Sequence, residues 1–141
     1  MKTRVEDIVL GALVADTYSL GAHWIYDQNE IQNSSLNWDG LNAPLASWHN
    51  SKVKGDFTHY GDQLVCFYEY VLKNNRYDEQ QYIRTWQKYM NSYKGYIDGA
   101  TKNSLENLSL NQTLPCGSNS SDLSIVGRIS PLLLVCKTQE E

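Results

Sequence analysis

The chain has 141 residues, of which 41% are hydrophobic and 20% charged, and a formal net charge of -4 at pH 7. This length can bury a core as one domain, and an acidic chain without a Lys/Arg cluster argues against a nucleic-acid polymer as partner. It has no apolar run long enough to span a bilayer, and its acidic start, MKTRVEDIVLG, differs from a signal peptide. We therefore expect one cytoplasmic domain over residues 1–141, with no membrane partner.

The cysteines are Cys66, Cys116 and Cys136, an odd number without paired metal-type spacing. This pattern argues against a disulfide framework and against a zinc site. We expect free thiols.

The first predicted helix carries a carboxylate on its apolar face. Thr3 and Glu6 form a capping-box pattern for a helix over about residues 4–21. Its apolar stripe consists of Val5, Val9, Ala12, Asp16 and Leu20. A buried carboxylate must be hydrogen-bonded, paired or bound to a cation. Asp16 therefore either caps a neighbouring helix or ties down a loop, or it belongs to a functional site.

The remaining pattern is helical wherever it is periodic. Residues 27–58, rich in Asn, Ser, Gly, Asp and Trp, predict a long ordered loop. Helices are expected over about residues 61–73, from Asp78 onward with Gln81 as capping partner, over about 100–108, and over about 121–135 with Pro131 inside. No segment alternates like a strand, so the sequence predicts an all-α fold.

Two apolar patterns predict packing. The third helix carries Tyr82, Trp86, Tyr89, Met90 and Tyr93 at helical spacing, which indicates a core face. The run PLLLVC near the end of the sequence predicts helices without their packing partners.

Two acidic and histidine-bearing segments could carry chemistry. His23, Trp24, Tyr26 and Asp27 follow the first helix and offer an imidazole, a carboxylate and flat aromatic surface. Farther on, THYGDQ brings His59 and Asp62 to the start of a helix. Asp62 is either an N-cap or a functional carboxylate, and His59 is either a packed or surface histidine or a ligand.

The third such segment, CGSNSSDLSIVGR, is a small-residue loop that enters a helix. Free N–H groups and hydroxyls at such a position suit a phosphate or diphosphate. Such loops also occur as plain linkers, and Asp122 would repel a nearby anion.

Taken in order, these segments resemble the ADP-ribosylglycohydrolase superfamily, particularly the branch of jellyfish J-type crystallins and their selenoprotein relatives. ADTYSLGAHWIYD resembles the family's Gly-Asp-Ala-Leu-Gly segment, with Ala15 in place of the first glycine. THYGDQLVCFYEYVL stands where the family has a Thr-Asp-Asp-Thr metal motif, and the HYGDQ form is expected in the crystallin-like branch. GYIDGATKNSLENL resembles the turn between these segments and the later Arg-Ile-x-Pro-Leu pattern at residues 128–132.

The resemblance implies an orthogonal multi-helix bundle and, in active members, hydrolysis of an ADP-ribosyl bond. That chemistry needs a carboxylate or metal-held water as the source of the nucleophile and dipoles that hold the diphosphate. The family usually uses two magnesium ions. Here His59 and Asp62 are the candidate metal ligands, although His59 and Gly61 replace oxygen donors that Mg²⁺ prefers.

Family members are about twice this length, within the ordinary range for one domain. The resemblance therefore implies the N-terminal part of an incomplete bundle, and we expect these 141 residues alone to be inactive. The candidate catalytic residues are Asp16 and Asp62. The candidate ligand-binding residues, for ADP-ribose or an ADP-ribosylated substrate, are His23, Gly117, Ser118, Ser120, Ser121, Asp122 and Arg128, with Arg128 expected to balance carboxylates.

Two alternatives stay open at this stage. One is a non-catalytic, crystallin-like structural protein or an ADP-ribose-binding module. The other is self-association through an exposed apolar helix face.

Overall fold

A computed structural model describes residues 2–110 and 115–136, and in these ranges it is helical without a strand. The α-helices are α1 (Lys2–Ser19), α2 (Gln28–Gln32), α3 (His59–Asn74), α4 (Glu79–Ser92), α5 (Gly99–Ser109) and α6 (Ile125–Arg128). Short 3-10 helices cover Leu20–Ala22, Ser47–His49 and Ser130–Leu134. The all-α prediction is confirmed. No helix in the described ranges has the length and apolar character that crossing a membrane requires.

Helix α3 is the centre of the fold. It contacts α1, α4, α6 and the 3-10 helix Ser130–Leu134. Its inward face carries the buried residues Leu64, Phe67, Tyr70 and Val71. The segments before and after α3 are therefore arranged around one helix.

Helix α1 supplies the apolar stripe that the sequence predicts. Val9 and Leu20 are fully buried, and Asp16 is half-buried on the same stripe. Helix α1 begins at Lys2, two residues before the predicted start, and the predicted cap by the Thr3 side chain lies outside what the structure describes. Away from this stripe, α1 exposes Ile8 and Val14.

The third predicted helix is confirmed as α4. The Asp78 carboxylate accepts a hydrogen bond from the backbone N–H of Gln81 at 2.9 Å, so Asp78 is the N-cap. Met90 is fully buried, and Tyr82 packs against the Phe67 cluster. The predicted core face of this helix is therefore correct.

The predicted helix over 121–135 is wrong. Helix α6 has four residues, and a 3-10 helix begins at Ser130 with Pro131 in its first turn. Proline lacks an N–H and clashes with the preceding turn of an α-helix, so it ends one element and starts the next.

The expectation that PLLLVC lacks a packing partner is also wrong for most of the run. Leu132, Leu134 and Val135 pack against the cluster of Phe67, Tyr70 and Val71. Leu133 is half-exposed. The 3-10 geometry turns the other side chains towards α3.

The long segment between α1 and α3 is tied by hydrogen bonds to α1 and to the 3-10 helix Leu20–Ala22 that follows it. The Leu45 N–H donates to the Gly21 carbonyl at 3.0 Å, and the Tyr18 hydroxyl donates to the Trp38 carbonyl at 2.5 Å. The Thr17 hydroxyl donates to the Asp56 carbonyl at 2.8 Å. These bonds hold a segment of mostly irregular backbone in one place.

The core role of α3 gives a matched pair of substitutions. Leu64 is 2% exposed and Leu72, on the same helix, is 58% exposed. We expect Leu64→Ala to lower the free energy of unfolding by about 2–5 kcal/mol, because it leaves a cavity. We expect Leu72→Ala to change it by less than about 0.5 kcal/mol. Urea unfolding measures both, and equal losses would contradict this account of the core.

Candidate functional site

The start of α3 is capped by Thr58. The Thr58 hydroxyl accepts hydrogen bonds from the N–H groups of Tyr60 at 3.1 Å and Gly61 at 3.5 Å. Asp62 lies in the first turn, where its own N–H donates to the Thr58 carbonyl. The N-cap interpretation of Asp62 is therefore wrong, because the threonine four residues earlier holds that position.

Asp16 binds this cap. One oxygen of its carboxylate accepts from the Thr58 N–H at 2.8 Å, and the other accepts from the Thr58 hydroxyl at 2.6 Å. Burial raises the pKa of Asp16, the Thr58 hydrogen bonds oppose that shift, and the charge of Asp62 adds to it. The geometry agrees with the interpretation in which Asp16 ties down a neighbouring helix and loop.

Gly61 permits this close contact. A Cβ atom at position 61 would lie 2.1 Å from Oδ1 of Asp16 and 2.8 Å from the Cβ of Phe57. The glycine in THYGDQ is therefore a requirement of packing, since any side chain would displace the Asp16 carboxylate.

Asp62 is engaged by two side chains from other segments. Its Oδ2 atom pairs with the Lys52 ammonium and accepts from the Tyr93 hydroxyl at 2.5 Å. Burial and the nearby Asp62 carboxylate raise the pKa of Tyr93, which keeps its proton on the hydroxyl. Together, Lys52, Asp62 and Tyr93 join the irregular segment, α3 and the end of α4.

The three histidines of the chain converge around Trp24. The Trp24 ring stacks on His49 at 4.8 Å and on His23 at 4.6 Å, and it lies 5.1 Å from His59. His59 is 1% exposed, and its Nε2 atom lies 3.4 Å from Oδ2 of Asp98. Asp98 also caps α5 by accepting from the Thr101 N–H at 2.8 Å.

His23 and His49 are joined directly. Nδ1 of His23 lies 2.8 Å from Nε2 of His49, so one ring donates and the other accepts. Burial lowers the pKa of His23 to about 4, with further lowering from His49 and His59. His23 is therefore a neutral member of an aromatic cluster. The nearby Asp27 caps α2 by accepting from the Asn29 N–H at 2.8 Å.

The small-residue loop lines a cavity of about 510 Å³ beside α3, α4 and α5. Its lining includes the predicted ligand-binding residues Gly117, Ser118, Ser120, Asp122 and Arg128. Ser121 is exposed and lies outside the lining, and His23 is in the histidine cluster. The structure thus brings together five of the seven predicted ligand-binding residues.

Arg128 hydrogen-bonds to the side-chain amide of Gln63 in this cavity. Its Nη1 donates to the side-chain oxygen of Gln63 at 3.0 Å, and the Trp86 indole N–H donates to the same oxygen at 2.9 Å. Its Nη2 lies 3.4 Å from the Ser124 hydroxyl. Within the described ranges, no carboxylate oxygen lies within 4.0 Å of an Arg128 nitrogen. Arg128 is thus linked to Gln63 by a hydrogen bond, and its expected role in balancing carboxylates stays a prediction.

The predicted site thus divides into separate groups. Asp16 belongs to the α3 cap, Asp62 faces Lys52 and Tyr93, and His59 faces Trp24 and Asp98. In the described part of the chain, no group of three His, Cys, Asp or Glu residues could hold a metal ion. The Lys52 ammonium already pairs with Asp62, so Asp16, Asp62 and His59 as arranged here do not fit a magnesium site. Magnesium binding itself stays a prediction.

The sequence interpretation missed several polar partners. Lys52 lies in the irregular segment, Gln63 follows Asp62 in α3, and Trp86 lies on the face assigned to the core. No local pattern joins residues this far apart. Thr58 had a local signal, because threonine is a preferred N-cap residue before a helical pattern.

The prediction that the three cysteines are free thiols is confirmed. Cys66 is buried, and Cys116 and Cys136 are half-buried free thiols. Burial raises the pKa of the Cys66 thiol to about 11, so it is protonated at neutral pH. This thiol is a packing residue.

The fold and site thus define a helical domain with carboxylates anchored by hydrogen bonds. Comparison with known proteins finds similarity to crystallin J1A of Tripedalia cystophora, 25% identical over 97 residues, which is 67% of this chain and 30% of that protein. Crystallin J1B of the same animal is 23% identical over 99 residues, or 68% of this chain and 30% of that protein. The chain therefore has weak homology to J1 crystallins, which belong to the ADP-ribosylglycohydrolase-like branch. The matched region spans about a third of the length of these relatives. No protein-family model matches the chain, and no solved structure matches it.

The Asp16 contact predicts a strong effect at Gly61. We expect Gly61→Ala to lower the free energy of unfolding by about 1–3 kcal/mol, because the new methyl group overlaps the Asp16 carboxylate. Gly11→Ala is the matched control, since no atom lies within 4 Å of its added Cβ. We expect it to stabilise α1 by about 0.5–1 kcal/mol. Thermal and urea unfolding measure both, and a neutral Gly61→Ala would contradict the close contact.

The neutral His23 ring in the histidine cluster predicts that the free energy of unfolding falls at acid pH. The pKa of His23 falls from its ordinary 6.5 to about 4 on folding, so the folded state favours the neutral ring. The stability from this neutral ring is full above pH 6.5 and is lost as the pH falls towards 4, because the unfolded state takes up the proton first. We expect wild type to lose more free energy of unfolding over this range than His23→Gln. Parallel pH curves for the two proteins would contradict the prediction.

Proposed function

We propose that this chain is a non-catalytic, crystallin-like member of the ADP-ribosylglycohydrolase-like branch. The similarity to J1 crystallins supports the crystallin-like part of the proposal. The pairing of Asp62 with Lys52 is the observation that carries the non-catalytic part.

Hydrolysis at an anomeric carbon needs a carboxylate or a metal-held water positioned to deliver the nucleophile. The Asp62 atom Oδ2 is shared by the Lys52 ammonium and the Tyr93 hydroxyl. Both Asp16 oxygens accept from Thr58. Each candidate catalytic carboxylate thus serves as an acceptor inside the protein, which favours a structural role.

Lys52 has the charge that a metal ion would otherwise supply. A divalent cation at Asp62 would first have to displace an ammonium that is itself half-buried. Such an exchange costs desolvation of both groups and leaves Tyr93 to find another acceptor. We therefore favour a domain whose stability does not depend on magnesium.

A second candidate function is binding of ADP-ribose without hydrolysis. It is favoured by the cavity that the serine loop and Arg128 share. The Arg128 Nε atom is buried without a hydrogen-bond partner in the described part of the chain. Its N–H group could donate a hydrogen bond to a phosphate oxygen. Asp122 opposes an anion at the same cavity, which would limit the affinity.

The proposal predicts the effect of removing Lys52. We expect wild type to bind Mg²⁺ weakly by calorimetry and to release no ADP-ribose from ADP-ribosylated peptides. We expect Lys52→Met to bind Mg²⁺ about tenfold or more tightly than wild type, because the Asp62 carboxylate loses its ammonium. Lys54→Met, at an exposed position nearby, is the control and should match wild type.

Two results would contradict the proposal. One is Mg²⁺-dependent turnover by wild type that Asp62→Asn abolishes. The other is equal Mg²⁺ binding by wild type and Lys52→Met. Titration with ADP-ribose separately tests the second candidate, and a folded protein that does not bind ADP-ribose would dismiss it.

A further inference from the structure

A second cleft, of about 410 Å³, lies beside the serine-loop cavity. We call it the aromatic cleft. Its side-chain lining consists of Trp24, Tyr26, Trp48, Tyr60, Tyr96, Asp98, Ala100, Ser120 and Asp122. Five aromatic rings and two carboxylates therefore share one small opening.

The rings stand at steep angles to one another. Trp24 meets Tyr60 at 80° and Tyr96 at 81°, with ring centroids 6.2 Å and 5.1 Å apart. Trp48 meets Tyr96 at 52° and 5.2 Å. Rings in this arrangement present several faces to a common space, as in aromatic cages that bind quaternary ammonium groups.

Trp24 is held in an unfavourable backbone conformation. Its φ angle is 65°, a region that a bulky side chain rarely adopts. Stacking with His23 and His49 and a T-shaped contact with Tyr96 hold the ring in place. The histidine cluster therefore fixes the position of the Trp24 ring in the aromatic cleft.

The two carboxylates in the cleft share one side-chain donor at their Oδ2 atoms, whereas Oδ1 of Asp98 accepts from the Thr101 N–H at 2.8 Å and Oδ1 of Asp122 accepts from the Ser124 N–H at 2.7 Å. The Tyr60 hydroxyl lies 3.3 Å from Oδ2 of Asp98 and 3.3 Å from Oδ2 of Asp122. A hydroxyl has one proton, so it can donate to only one of these oxygens at a time. The other carboxylate then faces the lone pairs of the phenol, an arrangement that a nearby positive charge would relieve.

Within the part of the chain that the structure describes, no Lys or Arg nitrogen lies within 4.0 Å of an oxygen of Asp98 or Asp122. In residues 2–110 and 115–136, the basic group within 4.0 Å of either carboxylate is His59, 3.4 Å from Asp98. Lys102 lies over Tyr96 at 5.1 Å and Arg128 over Tyr60 at 5.3 Å, so both cations contact ring faces rather than the carboxylates. Tyr60 and Tyr96 therefore each already hold one cation of the chain against a ring face.

We propose that the aromatic cleft binds a small organic cation with a quaternary ammonium head. The rings would surround the methyl groups, and Asp98 and Asp122 would supply the opposite charge. A quaternary ammonium group fits the cleft better than a metal ion does. Its methyl groups need apolar ring faces and its charge needs carboxylates, whereas a metal ion binds through oxygen, nitrogen or sulfur ligands alone. The proposal does not depend on ADP-ribose hydrolysis. The aromatic cleft shares Ala100, Ser120 and Asp122 with the serine-loop cavity, and its aromatic lining is its own.

The test compares choline with its neutral isostere 3,3-dimethyl-1-butanol, which has the same shape without the charge. NMR titration of the tryptophan indole N–H signals measures both affinities on the whole chain. We expect choline to bind about fivefold or more tightly, since cation–π attraction and charge act on choline alone. Asp122→Asn should weaken choline binding about threefold or more and leave the isostere unchanged. Trp48→Ala should weaken choline binding as well.

Asp122 and Trp48 are both exposed, so these variants should retain the fold, and circular dichroism verifies this. Asp39→Asn, an exposed carboxylate outside the cleft lining, is the matched control and should bind choline as wild type does. Equal affinity for choline and its isostere, or no choline binding by the folded protein, would overturn the proposal. A preference for choline that survives Asp122→Asn would also overturn it.

Discussion

The contact between the Asp16 carboxylate and Thr58 is the interaction on which the rest of the structure depends. It joins residues 42 positions apart and fixes the start of α3 against α1. Since α3 contacts α1, α4, α6 and the 3-10 helix Ser130–Leu134, its placement sets the core. The same turn begins with His59 and contains Asp62, so the cap also orients the two side chains expected to bind metal.

The described residues satisfy their buried polar groups mainly with one another. Asp62 pairs with Lys52, Gln63 accepts from Trp86 and Arg128, and His23 meets His49. Such networks favour a single native arrangement when their members are satisfied. A protein selected for stability would gain from this arrangement, whereas a hydrolase needs at least one carboxylate free for water or metal. The proposed crystallin-like role rests on that contrast.

Local patterns predicted helix positions and the inward face of α1 well, because helical periodicity and capping act over a few residues. They also identified Asp16 as a buried carboxylate that needed a partner, but its partner Thr58 lies too far along the chain for spacing to reveal. Lys52 was not predicted as the partner of Asp62 for the same reason. The helix predicted over residues 121–135 failed because Pro131 removes a backbone donor, which outweighed apolar periodicity.

A double-mutant cycle between Asp16 and Thr58 tests the central claim most directly. The free energy of unfolding would be measured for wild type, Asp16→Ala, Thr58→Ala and the double variant. If the carboxylate acts mainly as the anchor of the α3 cap, the two losses should be coupled by about 1.5–3 kcal/mol, as expected for hydrogen bonds to a charged group. Additive losses, agreeing within about 0.5 kcal/mol, would contradict that role.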